Sequence, residues 1–141
     1  MNSPLKIAFA SDDATETVAA VKSYLSEHYE LILPTESDSW PEMSTAVAET
    51  VVSGEADYGI LMCWTGTGTA IAANKVLGIR AAQASEPWIA ENARKWNNAN
   101  VLTLSSRRTA AAVAVECVKA FLAVHAPDAE ELKNIAKLDN K

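Results

Sequence analysis

Short apolar runs alternate with polar, helix-patterned stretches five times along this chain. Leu5-Lys6-Ile7-Ala8-Phe9-Ala10 reads as a strand, and Thr15 to about His28 as an amphipathic helix. Tyr29-Glu30-Leu31-Ile32-Leu33 gives a second strand, closed by Pro34. Pro41 suits the first turn of a helix running to about Ser53, where Gly54 stops it. The third strand is Tyr58 to Met62, followed by a glycine-containing loop and a helix that stops near Gly78. Ile79-Arg80-Ala81-Ala82-Gln83-Ala84 is the fourth strand, Pro87 opens a helix to about Asn97, and Val101-Leu102-Thr103-Leu104 is the fifth strand. Thr109 to about Val124 is a long helix, apolar nearly all round. Pro127 ends it before a polar helix from Ala129 to Leu138.

Strands that alternate with helices imply a parallel sheet covered on both faces. The expectation is α/β: one three-layer α/β/α Rossmann-like domain spanning residues 1–141, with a five-stranded parallel sheet and a C-terminal helical extension. Ligands of such folds sit at the carboxyl ends of the strands, near a topological switch point. Here those ends carry Ser11-Asp12-Asp13, Cys63 with its loop, Ser85-Glu86, and Ser105-Ser106-Arg107-Arg108.

Composition narrows the partners. The 141 residues are 49% hydrophobic and 21% charged, ordinary for a globular chain large enough to bury a core. A net charge of −6 argues against nucleic acid, because neutralising phosphates needs a basic face. No apolar run approaches a membrane span, and Met1-Asn2-Ser3-Pro4 opens no signal peptide, so the expected compartment is the cytoplasm, with no membrane partner. Cys117 lies in an apolar helix and reads as a buried thiol. Neither a CxxC nor a His/Cys cluster is present, so no metal and no cofactor is expected.

The stretch Cys63-Trp64-Thr65-Gly66-Thr67-Gly68-Thr69 raises the chemical question. A P-loop is excluded because Lys75 stands too far from the glycines, and a dinucleotide fingerprint because Ile71 stands where a small residue is needed. A phosphoacceptor domain wants an aspartate where this chain has Cys63. What remains is a nest of N–H groups beside a thiol, which binds anionic oxygen and favours thiolate. A base next to an anion hole is what proton abstraction beside a carbonyl requires. The bare residues leave a second reading equally open: a buried core thiol followed by a structural glycine turn.

From Asp57 to Arg107 the chain resembles the RpiB/LacA/LacB sugar-phosphate isomerases. The family run GILxCGTGxGxxIAANKxxGIRA is matched by Gly59 to Gly68, by Ile71-Ala72-Ala73-Asn74-Lys75 and by Gly78-Ile79-Arg80-Ala81. HNDANVLxLGxR is matched in part by Trp96 to Arg107, and Ser11-Asp12 fits the family's SDHAG. The resemblance implies interconversion of aldose and ketose phosphates through a cis-enediolate, with ribose 5-phosphate as the default substrate. It implies Cys63 as the base between C1 and C2, and Thr65 with the N–H groups of Gly66, Thr67 and Gly68 around the enediolate oxygen. Asp12 would hold sugar hydroxyls, Asn97 would orient the substrate and Arg107 would bind the phosphate. It also implies a homodimer, or a dimer of dimers, in which the tail crosses to complete the partner's site.

The departures bear on the substrate. Asp13 stands at a family histidine near the ligand mouth, and Trp96 at the histidine credited with ring opening. Glu130 and Lys133 fall at the two arginine positions of the tail, leaving Lys133 as a second anchor, and Trp64 replaces a loop glycine. Asp13 also has a plain reading as a helix cap, and Trp88 and Trp96 as neighbours on a buried helix face. Two alternatives follow: a sugar-phosphate binder without catalysis, or an isomerase of a different, open-chain phosphate such as a tetrose phosphate.

Overall fold

The computed structural model describes residues 4–140; the run Met1-Asn2-Ser3, read above as no signal peptide, lies outside them. Five parallel strands form one sheet: β1 (Lys6–Ser11), β2 (Glu30–Ile32), β3 (Tyr58–Cys63), β4 (Ala81–Gln83) and β5 (Val101–Ser105), in the order β2-β1-β3-β5-β4. Between and after them run α1 (Glu16–His28), α2 (Trp40–Val52), α3 (Thr67–Ala73), α4 (Pro87–Asn97), α5 (Ala111–Leu122) and α6 (Leu132–Ala136). This is the expected three-layer α/β/α arrangement.

Alternation along the strands divides the core in two. Ile7, Phe9, Ile60, Met62, Leu102 and Leu104 face α1, α4 and α5, where Val21, Leu25, Ala93, Cys117 and Phe121 complete one cluster. Ala8, Ala10, Leu61 and Val101 face Met43, Val47 and Val51 of α2, with Ala73 and Ile79 closing the second. Burying one such Leu, Ile or Phe contributes roughly 1.5–3 kcal/mol. Gly59 lies where α2 approaches the sheet; a Cβ there would stand 2.6 Å from a methyl group of Val47.

The start and stop signals work largely as expected. Thr15 caps α1 by accepting the Val18 N–H, and Ser39 caps α2 by accepting the Glu42 N–H. The cap is thus Thr15 and not Asp13, whose Oδ1 accepts only the adjacent Ala14 N–H. Both outer strands are shorter than their apolar runs, because Leu33, Ile79 and Ala84 lie outside the ladder. The third helix stops at Ala73, well before Gly78, which instead turns the chain at φ 93°. The tail is one short α-helix between two 3-10 turns, Ala129–Glu131 and Lys137–Asn140, and not a continuous helix.

One expectation about a helix face changes. Trp88 and Trp96 do share a face of α4, packed edge to face 5.7 Å apart, but it is the outer one: they are 58% and 42% exposed. The inner face belongs to Ala90, Asn92, Ala93 and Arg94. Arg94 is buried, donating to Asn98 Oδ1, Ala99 O and Tyr58 Oη while its guanidinium lies over the Tyr58 ring. Helix α5 buries one side in this chain, through Ala114, Cys117, Val118, Phe121 and Leu122, and leaves Ala112 and Val113 exposed on the other beside a Glu116–Lys119 ion pair. No helix among the described residues is long and apolar enough to cross a membrane.

Candidate active site

The strand order reverses direction between β1 and β3, so their carboxyl ends open the crevice where such folds bind ligands. Asp12 follows β1 there and Cys63 ends β3. With Trp40, Trp64, Thr65, Thr67 and Gly68 they line a pocket of about 400 Å³. A larger cleft of about 630 Å³ lies at the opposite end of the sheet, among Asn74, Arg80, Ala82, Asn97 and Asp139. Chemistry picks the smaller one. It holds the thiol.

The loop after Cys63 owes its orientation to groups beneath it. Ser106 N–H donates to Cys63 O, Ser105 Oγ to Trp64 O, Gln83 Nε2 to Thr65 O, and Thr103 Oγ1 to Gly66 O. Four successive carbonyls are therefore tied down towards β4 and β5. Gly66 adopts φ 81°, and a Cβ there would come within 3.0 Å of the Leu104 backbone. At Gly68 a Cβ would meet the Trp40 ring at 3.1 Å, so that glycine lets the indole cover the loop.

The thiol is buried but well supplied with donors. Gly66 N–H donates to Cys63 Sγ at 3.2 Å, and Thr69 Oγ1 lies 3.4 Å from the sulfur. Burial pushes the Cys63 thiol up, but the Thr69 hydroxyl and the N–H groups of Thr69, Gly66 and Thr65 more than offset it, leaving the pKa below its ordinary value. Thr69 Oγ1 is also placed 3.2 Å from Gly66 O. One hydroxyl proton serves either partner: the carbonyl while sulfur keeps its own proton, the sulfur once that proton has left. The carbonyl keeps Thr103 in both states.

In the same pocket, Asp12 has a buried Oδ1 without a partner among the described residues. Burial raises its pKa, with the charges of Asp13 and Asp38 adding to the rise. Arg107 and Asp13 pair at the rim at 3.1 Å.

Among the residues expected from the sequence, Cys63, Thr65, Gly66, Thr67, Gly68, Asp12, Asp13 and Arg107 come together. Two of the three N–H groups assigned to an anion are engaged already: Gly66 N–H by the sulfur, Thr67 N–H by Thr65 Oγ1 at 3.3 Å. Thr65 and Thr67 hydroxyls share a 2.6 Å hydrogen bond. Trp96, Asn97 and Lys133 are not in this group. Helix α4 runs back from the carboxyl ends of the strands, so Trp96 and Asn97 reach the start of β5, the far end of the sheet from Cys63. Lys133 lies on α6, whose tail reaches Arg80 at that same end through Asp139. Chain direction was the available signal. Thr69 and Ser105 stand in stretches the sequence singles out, though without these roles, and Gln83 and Thr103 read there only as strand residues.

A thiolate-favouring cysteine thus lies under a backbone loop at the switch point of a parallel sheet, in a pocket it shares with the Asp12 carboxyl group. Residues 7–138 match the family described as Ribose/Galactose Isomerase, and the chain belongs to that family. It is 45% identical over 87 residues to ribose-5-phosphate isomerase B of Escherichia coli, which is 62% of this chain and 58% of that protein. It is 41% identical over 87 residues to D-erythrulose-4-phosphate isomerase of Pectobacterium atrosepticum, again 62% of this chain and 57% of that one. The crystal structure of a ribose 5-phosphate isomerase from Thermotoga maritima superposes with a TM-score of 0.89 at 39% identity, covering 97% of this chain and 99% of that chain.

Proposed function

We propose that this chain is an aldose–ketose isomerase acting on a sugar phosphate through a cis-enediolate, with Cys63 as the base. The observation that carries the reading is the thiol whose pKa is held down by the Thr69 hydroxyl and loop N–H groups inside the Asp12 pocket. The Cys63 thiolate takes the proton from the carbon beside the carbonyl and returns it to the neighbouring carbon. Charge developing on the enediolate oxygen meets the Gly68 N–H and the paired hydroxyls of Thr65 and Thr67. Asp12 holds sugar hydroxyls from the pocket wall, and Arg107 anchors the phosphate. A binder without catalysis has no use for a thiolate poised in this way.

Trp96, Asn97 and Lys133 reach a Cys63 pocket only if a second copy brings its far end to the carboxyl ends of the first. A homodimer with shared sites follows. Sedimentation at micromolar concentration tests it, a monomer alone being the contrary result. The substrate reading follows from Trp96, whose indole has a donor N–H but exchanges no proton at neutral pH. Ring opening needs such an exchange, and a tetrose phosphate, unable to close a furanose ring through its esterified hydroxyl, needs no ring opener. The likeness to a D-erythrulose-4-phosphate isomerase supports this preference alongside that to ribose-5-phosphate isomerase B.

One panel tests both levels. Aldose and ketose phosphates, ribose 5-phosphate and erythrulose 4-phosphate among them, are incubated in deuterium oxide and exchange at C1 or C2 is followed. Exchange lost in Cys63→Ala supports the mechanism; a higher kcat/KM on ribose 5-phosphate than on the tetrose overturns the substrate preference.

A further inference from the structure

Arg107 is already occupied. Its Nη2 donates to Asp13 Oδ2 at 3.1 Å, and its guanidinium centre lies 3.9 Å from the centroid of the Trp64 ring. Both partners are fixed by their own backbone contacts. Asp13 Oδ1 accepts the Ala14 N–H at 2.8 Å, and the Trp64 carbonyl accepts from Ser105 Oγ. The Ser11 hydroxyl adds a further tie, donating to Asp13 O and accepting the Asp13 N–H. The carboxylate is thus pre-placed against the cation and gives up a formed ion pair when another anion takes its position. Stacking leaves the edges of the guanidinium available. Among the described residues its other N–H groups have no protein acceptor.

We propose that Asp13 is a specificity-determining residue, which competes with the substrate's phosphate for Arg107 and so holds down the affinity of this site for dianions. The proposal rests on the reading of Arg107 as the phosphate anchor. A carboxylate beside the incoming phosphate acts twice: it neutralises the guanidinium and repels the second negative charge. Binding energy must then come from the hydroxyl-recognising half of the pocket, around Asp12 and the loop. A ligand that offers phosphate and nothing else binds poorly. Trp64, which lines the Cys63 pocket, carries the guanidinium over its ring.

Inorganic phosphate titrated into the free protein by calorimetry tests this without turnover. Asp13→Asn, which keeps size and the Ala14 contact, should tighten phosphate binding up to about fivefold, the scale of one solvent-exposed ion pair. Asp13→Glu, which keeps the charge, should show no such gain. Arg107→Met should weaken binding, and in that background Asp13→Asn should gain less than it does in the wild type, because only the repulsion is then removed. In turnover, Asp13→Asn should lower KM for the sugar phosphate more than it changes kcat. Unchanged or weaker phosphate binding in a folded Asp13→Asn protein, with Arg107→Met still weakening it, overturns the competition alone. Phosphate affinity indifferent to Arg107→Met overturns the anchor and the proposal with it.

Discussion

Cys63 and Cys117 are almost equally hidden, 5% and 0% exposed, and chemically opposite. Cys117 sits inside α5 among Val118, Phe121 and the apolar cluster beneath that helix. Burial pushes its thiol up to about 11, with the charges of Glu86 and Glu116 adding to the rise. At Cys63 burial acts in the same direction and is overcome by a hydroxyl and backbone N–H groups aimed at the sulfur. Burial therefore does not decide whether a thiol is reactive. The donors around it do.

The largest test of this contrast is catalytic. Cys63→Ala should lower kcat by about two to four orders of magnitude, the usual cost of removing a general base, while Cys117→Ala leaves it unchanged. Equal activity in the two variants would end the assignment.

Next in size is selectivity towards an alkylating reagent. Iodoacetamide near neutral pH should label Cys63 at least about a hundred times faster than Cys117, because thiolate is the nucleophile. Peptide mass mapping over time reads the ratio.

A smaller effect is expected from the donor itself. Thr69→Val keeps the side-chain shape and removes the hydroxyl near the sulfur. The Cys63 pKa should rise, moving the alkaline onset of its alkylation and the acid limb of kcat/KM to higher pH and slowing both near neutrality. An unmoved profile would assign the whole depression to the backbone N–H groups.

The smallest effect is on stability against pH, and the two thiols contribute with opposite sign. Cys117 has a raised folded pKa, so its contribution is whole below the unfolded value of 9.0 and is lost as pH rises through about 11. Its full size is on the order of 3 kcal/mol. Cys63 has a lowered one, so its contribution is whole above 9.0 and is lost as pH falls through the folded value. In urea unfolding from pH 7 to 11, Cys117→Ala should flatten the decline above pH 9, whereas Cys63→Ala should change the profile only below it. Tyr29, pushed up to about 12 by burial, adds a common alkaline loss that cancels in the difference from wild type.

The strands and helices were legible because apolar periodicity and Pro, Gly and Thr signals sit within each segment. The strand order was not, since it depends on pairings such as Ile60 with Leu102 that local pattern does not encode. Cys63 and its loop stood out as a motif. Thr103 did not: its hydroxyl reaches a carbonyl 37 residues away and looks like an ordinary strand residue until the sheet is assembled. Within one chain a crossover helix must end where the next strand begins, so the grouping of Trp96 and Asn97 with Cys63 that sequence likeness suggests requires two copies.

The two hydroxyls under the loop make the pocket a gauge of strand register. Thr103 and Ser105 alternate along β5 with Leu102 and Leu104, which fill the core on the other face. A slip of one residue exchanges the faces, presenting leucines to the Trp64 and Gly66 carbonyls and pushing hydroxyls into hydrocarbon. Misaligned sheets thus lose their inner packing and the anchoring of the Cys63 loop in one stroke. Regain of activity during refolding should consequently coincide with formation of the β3–β5 ladder, with no compact, native-looking but inactive form preceding it.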